Sequence, residues 1–573
     1  MKEYTVTVLN TTKIQSYIFG SNKLRENIGA SYLVKQATDE WVRKTLAEPD
    51  LGVPEAHQQD PIEQSNWIAE IVYAGGGNMI VLFKSHDNAI EFTKKLSRRV
   101  LKEAPGINLV VAHQRFNWEK DKLHEVVDDL MKNALEQHKY KRIPSAPLLG
   151  LGVTAVCHST QLVAVDTSDN PIYDMPKDSK PYLISPEIAA KLKAVHRAND
   201  ELKEMIEKML ENKESHSLDK FKKYELPLRT DQMGRSREEN SYAAVVHIDG
   251  NSMGERFRKY GEKQSEEYPE DPSRANRAYV EAMGHLSESI DQAGKQALNK
   301  VIEVLVDSIQ ELTENNHTVK KVVGQLGQFA IEGNYLPFRP LVYGGDDVTF
   351  VCDGRLGLEL ASIYLNELEK PQMPDGLSIK ACAGISIVKT HYPFARAYEL
   401  SEALCREAKR LVKAQKQYEP EGFSALDWHI ASSGLSGSVS EIRKREYQVA
   451  YGELCMRPIR LKLYSDEWQN WEGFTKVIND FVSDKDWKDS KNKVLALREV
   501  LREGIDATKQ FIINYRLAQL PRFLPESSRP SRGLAREGWL NRVCGYFDAI
   551  EAMEFYLSLE KDVSVSTENT ITE

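Results

Sequence analysis

The sequence predicts an α+β protein, with two ferredoxin-like domains, a helical connector between them and a C-terminal helical domain. Three observations predict it. An order of strand, helix, hairpin, helix, strand, helix is read from the N-terminus and again after residue 241. The third element is a Gly-rich hairpin both times, and beyond residue 433 helical periodicity prevails. The expected boundaries are 1–149 for a degenerate copy, 150–240 for the connector, 241–433 for an acidic copy and 434–573 for the helical remainder.

In the first copy, Tyr4-Thr5-Val6-Thr7-Val8-Leu9 alternates as a half-buried strand does, and a helix is expected from about Gly29 to Leu46. Two apolar runs from Ile71 to Phe83 enclose Gly75-Gly76-Gly77-Asn78, the mark of a hairpin. A helix over 88–104, a strand over 107–112 and a helix over 118–137 complete the set. The connector is rich in Pro and Asp, then strongly charged, and carries one long helix. After it, Tyr242 to Ile248 is nearly all apolar, as in a strand buried on both faces, and ends in Asp249-Gly250. A long helical region over 273–313 follows, then a hairpin over 341–352, a helix over 356–368, a strand over 378–388 and a helix over 393–415. In the remainder, Trp468, Trp471, Phe474, Phe481 and Trp487 are expected in the core, and the polar end from Val563 is expected to fray.

With 573 residues, 41% of them hydrophobic, the chain can bury several cores. No apolar run of about 18 residues exists and the chain opens on a strand, which predicts a cytoplasmic protein with no membrane partner. Six cysteines stand singly, without a Cys-x-x-Cys pair, so neither a disulfide framework nor zinc is expected. A net charge of −9 excludes a protein that coats nucleic acid by itself. One candidate nucleic-acid patch remains, Arg516, Arg522, Arg529, Arg532, Arg536 and Arg542, for which the sequence alone favours a solvated basic face.

Asp346 and Asp347 at the hairpin tip suit a hard divalent cation, Mg²⁺ or Mn²⁺, which takes oxygen ligands. An ordinary acidic turn is the alternative. In a ferredoxin-like sheet the first strand lies beside the hairpin, so Asp249 is expected to join Asp346 and Asp347 as catalytic and metal-binding residues of a two-metal phosphoryl-transfer site. The backbone of Gly250, Asn251, Ser252, Met253 and Gly254 opens a helix and offers N–H groups to phosphates, beside the Gly344-Gly345 turn. Lys409, on the last helix of this copy, reads either as a triphosphate contact or as a surface lysine. The first copy has Gly75, Gly76, Gly77 and Asn78 where the second has Gly344, Gly345, Asp346 and Asp347, and uncharged residues near Asn10-Thr11 where the second has Asp249. His86-Asp87 and Cys157-His158 lack partners at metal-ligand spacing, and His247 on a buried strand reads as a core histidine.

Several further stretches sharpen the picture: Ile14 to Phe19 with Leu24 to Ser31, Tyr73 to Asn78, His247 to Gly254, Ala383 to Ile387 with Tyr392-Pro393-Phe394, Ala408-Lys409, and Ser424 to His429. In this order, with Tyr343-Gly344-Gly345-Asp346-Asp347, the chain to about residue 430 resembles the large polymerase/cyclase subunit of type III CRISPR effector complexes (the Cmr/Csm large-subunit family). The resemblance implies two palm domains that each bind ATP at their glycine-rich turns, with cyclic oligoadenylate as product. It implies partners as well: other effector subunits, guide RNA and target RNA. The family's HD nuclease and zinc knuckle are not read here, and residues 153–157 look like a remnant of the latter. Adenylyl transfer to another acceptor, such as S-adenosylmethionine, or a non-catalytic scaffold role are the alternatives. A GGDEF-type diguanylate cyclase would need one palm and a homodimer.

Overall fold

The computed structural model describes residues 3–141, 152–211, 216–233, 241–314, 317–431, 437–488 and 490–559. The expected fraying over 563–573 lies outside the described residues. The first copy contains β1 (Glu3–Thr12), α1 (Ile14–Phe19), α2 (Leu24–Lys35), β2 (Ala69–Gly75), β3 (Asn78–Phe83), α3 (His86–Glu103), β4 (Asn108–Asn117) and α4 (Leu123–Asp129). Its sheet runs β2-β3-β1-β4, all antiparallel. The connector's long helix is α5 (Pro186–Glu211).

The second copy repeats this plan with β5 (Tyr242–Gly250), α6 (Met253–Glu266), α7 (Pro272–Ser308), a side sheet of β6 (Ile309–Glu314), β7 (His317–Val323) and β8 (Gln328–Ala330), then β9 (Phe338–Val342), β10 (Asp347–Asp353), α8 (Gly357–Leu368), β11 (Ala381–Lys389) and α9 (Phe394–Gln415). Strand order β9-β10-β5-β11 matches that of the first copy, and β12 (Ala425–Ile430) and β13 (Ile459–Arg460) extend the sheet to six strands. Val245, Val246 and Ile248 of β5 are buried on both faces, each stabilising the sheet by roughly 1.5–3 kcal/mol.

Three sequence expectations needed correction. The helix expected over 273–313 ends at Ser308, because Ile309 onwards pairs with His317–Val323. Nothing local marks that switch, since Ile-Gln-Glu-Leu suits helix as well as strand; the decision comes from the partner strand. The helix expected over 118–137 starts at Leu123, where Asn276 of the other copy accepts from the Leu123 amide at 2.7 Å. The helix expected from Gly29 starts earlier, at Leu24. The aromatic residues Trp468, Trp471, Phe474, Phe481 and Trp487 are buried as expected, as are all six cysteines.

The duplication extends to single hydrogen bonds. Asn10 pairs with Asn78 across β1 and β3, and Asp249 with Asp347 across β5 and β10. One residue further on, the Thr11 amide donates to Gly77 O at 2.8 Å, and the Gly250 amide to Asp346 O at 3.1 Å. Two residues beyond that, Lys13 (φ 59°, ψ 32°) and Ser252 (φ 57°, ψ 30°) both take the left-handed conformation and start a helix. The copies also pack reciprocally. Ser31 of α2 donates to Leu341 O on β9, while Gly284 of α7 lies against Val72 O on β2. Leu341 and Val72 are equivalent, each six residues before the paired Asp347 or Asn78. Phe19 stacks on Tyr398 at 3.8 Å on one side, and His124 Nδ1 meets Ser265 Oγ at 3.0 Å on the other. A pseudo-two-fold relation thus joins two copies whose strand ends differ chemically.

Candidate functional site

Asp249 ends a buried strand and faces Asp347 in register, which puts their side chains on one face of the sheet. Asp346 reaches the same place from the turn. Gly344 (φ 121°) and Gly345 (φ 70°) make this possible, since both hold conformations that a side chain would strain. The Asp346 side chain lies over Gly250 so closely that a Cβ there would sit 2.8 Å from Asp346 Cβ and Oδ2. The three predicted carboxylates are therefore neighbours.

Their electrostatics carry the consequence. Burial pushes the Asp346 carboxyl above its ordinary range, and Asp249 adds to the rise. Asp347 is pushed well above it by burial, then by Asp249 and Asp346. Asp347 is 43% exposed as a side chain, yet its Oδ1 is shut off from solvent with no hydrogen-bond partner. His247 Nδ1 lies 3.5 Å from that oxygen and 3.1 Å from Thr349 Oγ1. Burial lowers the His247 pKa to about 4, so the ring is neutral near pH 7 and does not offset the carboxylates.

Lys409 supplies the offset. Its Nζ lies 2.5 Å from Asp249 Oδ2 and 2.9 Å from Gly250 O. Burial works against its charge, but Asp249 more than compensates and holds the ammonium pKa above the ordinary value. The phosphate cradle expected over 250–254 is narrower than the sequence suggested. The Gly250 amide is engaged by Asp346 O, and that of Asn251 by Lys380 O at 2.8 Å. Asn251 Nδ2 also donates to Phe423 O, which turns the side chain towards the sheet. The amides of Ser252, Met253 and Gly254, at the start of α6, have no acceptor within the helix.

A fourth carboxylate escaped the sequence reading. Asp291 of α7 comes within 3.1 Å of where a Gly344 Cβ would lie, and pairs with Lys295 at 2.5 Å. With Asp347 and Asp346, and after burial itself, it raises the Tyr364 pKa. An Asp and Lys four apart on a helix look like any surface pair, so no local signal marked it. Lys295 also lines an open cleft of about 440 Å³ with Lys35, Glu201, Met205 and Lys208.

The donor set suits a hard divalent cation: carboxylate oxygens crowded enough that their neighbours add to the rise in the Asp346 and Asp347 pKa, one of those oxygens buried without a partner. Among the described residues, however, no group of three or more such side chains is arranged as ready ligands of one ion. Lys409 stands where a cation would meet Asp249. In the first copy, Asn10 Nδ2 donates to Asn78 Oδ1, and Thr11 Oγ1 to Gly77 O at 2.8 Å. That turn is neutral and closed on itself. Cys157 is buried in a cluster with Tyr173, Tyr182 and Ile184, and the His86 ring lies 5.8 Å from that of His113.

No family model matches the chain, and no curated protein does. Solved structures do. Csm1 of T. onnurineus superposes with a TM-score of 0.50 at 13% identity, over 97% of this chain and 70% of that one. The fold is Csm1-like. A Csm1-Csm4 cassette in complex with AMPPNP gives 0.48 at 13% identity, over 97% and 69%. One in complex with cA3 gives 0.44 at 12%, over the same shares. No helix among the described residues is long and apolar enough to cross a membrane.

Proposed function

We propose that the chain is an ATP-dependent nucleotidyltransferase that makes cyclic oligoadenylate, acting as the large subunit of a type III CRISPR effector with other subunits, guide RNA and target RNA. The observation that carries this reading is the asymmetry between equivalent turns: Asp249, Asp346 and Asp347 in one copy, Asn10, Gly77 and Asn78 in the other. The Csm1-like fold supports it. Asp249, Asp346 and Asp347 would hold Mg²⁺ or Mn²⁺, which when bound neutralises triphosphate charge and acidifies an attacking hydroxyl. The amides of Ser252, Met253 and Gly254 would donate to phosphate oxygens at a helix N-terminus. Lys409, released from Asp249, would pair with the triphosphate. The turn Gly75 to Asn78 and Asn10 would present the second ATP, whose 3′-oxygen bonds to the α-phosphorus as pyrophosphate leaves and the hydroxyl proton passes to solvent.

Mass analysis of products from ATP with Mg²⁺ or Mn²⁺, using the chain alone and with partner subunits and RNA, tests this. Oligoadenylate is expected from the wild type, and Asp346→Asn/Asp347→Asn should make at least about 100-fold less. Equal yields from both, or no adenylate product under any of these conditions, would overturn the reading. One observation favours a non-catalytic scaffold instead, the ammonium of Lys409 seated on Asp249. The same assay decides between them.

A further inference from the structure

The helix Arg529–Glu537 is sharply two-sided: Ser531, Leu534 and Ala535 are fully buried, while Arg529, Arg532 and Arg536 are exposed. The spacing of three and four residues puts the three guanidiniums on one face, within about 10 Å along the axis. Among the described residues none of the three has an ion pair or a hydrogen-bonded side-chain partner. The nearby acidic groups are already taken, Glu537 by Lys509 at 2.9 Å and Glu526 by Lys476 at 3.2 Å. The helix Ile505–Asn514 packs alongside, with Thr508 against Gly538, and ends in half-exposed Tyr515 and exposed Arg516. Leu520 then donates to Ala535 O at 2.8 Å, which holds this return segment on the arginine helix.

We infer that this surface binds single-stranded nucleic acid through its phosphodiester backbone. A chain of net charge −9 that leaves three arginines uncompensated on one helix face has a local anion site rather than a general one. Arginine is the residue that grips phosphate in bidentate fashion, and three guanidiniums about 10 Å apart end to end match successive phosphates of one strand. The inference is independent of the nucleotidyl-transfer reading, because nothing in the surface belongs to the acidic site.

The test is fluorescence anisotropy with the full chain and labelled oligouridylate and oligothymidylate of about 20 nucleotides, over a fourfold range of salt. The wild type should bind at least one of them. Losing three phosphate contacts, at about 0.7 per contact, should lower the salt slope by about 2 in Arg529→Glu/Arg532→Glu/Arg536→Glu, with affinity at low salt falling at least about 20-fold. The corresponding triple lysine variant should keep most of the slope, which separates lost charge from lost folding. Arg498→Glu/Arg502→Glu, on another helix, should leave binding unchanged. Oligouridylate bound more tightly than oligothymidylate would assign the site to RNA, the reverse to DNA. The inference is overturned if neither oligonucleotide binds, if the glutamate triple retains slope and affinity, or if polyglutamate competes as well as the oligonucleotides, which would make the partner an acidic protein.

Discussion

Gly250→Ala isolates the geometry of the acidic turn from its charge. The added Cβ would lie 2.8 Å from Asp346 Cβ and Oδ2 and 2.7 Å from Met253 Cγ, where ordinary contact begins at 3.4 Å. The deficit against Asp346 is 3.4 − 2.8 = 0.6 Å. Met253 can yield by rotating, but Asp346 Cβ is fixed to a turn held by two left-handed glycines. The Asp346 carboxylate must therefore move by at least about 0.6 Å. Overpacking of this kind costs about 1–3 kcal/mol, so the variant stays folded, whereas displacing a reacting group by about 1 Å costs on the order of 100-fold in rate. The expected result is a 10- to 100-fold slower conversion of ATP, roughly estimated, with a melting point only a few degrees lower. Rates and thermal melts on the same preparation check it. A variant that converts ATP at the wild-type rate would refute the claim that Asp346 must sit over a bare backbone.

Three further outcomes follow from particular contacts. Gly384→Ala would put a Cβ 1.9 Å from Ser401 O and 2.3 Å from Cys405 N, both backbone atoms of the helix that carries Lys409. A loss of about 3 kcal/mol or more is expected in denaturant unfolding. Phe19→Ala removes a buried ring stacked between the copies on Tyr398, and should cost about 3–5 kcal/mol by the same measurement. His429 is 4% exposed, and burial, then Arg457 and Arg443, lower its pKa to about 3. Its folded pKa lies below the unfolded value near 6.5, so its stabilising contribution is present above pH 6.5 and is lost as pH falls towards 3. Between pH 6.5 and 4.5 that loss is about 2 kcal/mol, and His429→Gln should flatten the stability profile by this amount.

Much of the fold was legible because β-branched runs and glycine turns are local signals. Tyr242 to Ile248 and the two hairpins needed no partner to be recognised. What stayed hidden depends on pairing between distant segments. The side sheet over 309–330 follows a helix without a Gly or Pro to mark the change, and only its pairing with His317–Val323 settles it. Asp291 likewise looks like an exposed helix residue until the fold brings it against Gly344, and Lys409, singled out from the sequence, gave no sign there that it would rest on Asp249.

The register also explains why the two turns differ so completely. Thr11 occupies the position of Gly250, and Gly77 that of Asp346. A Cβ on Gly77 would lie 2.7 Å from Thr11 Oγ1 and 2.3 Å from Ile14 Cδ1, just as one on Gly250 would strike Asp346. The two positions have exchanged side chains: where the strand end carries one, the turn is bare, and where the turn carries a carboxylate, the strand end is bare. Gaining an acidic turn in the first copy therefore takes a coupled change and not a single substitution. Gly77 also holds φ 85°, so an aspartate placed there alone would meet both a clash and backbone strain. The asymmetry between the copies is thus built into their packing as well as their charge.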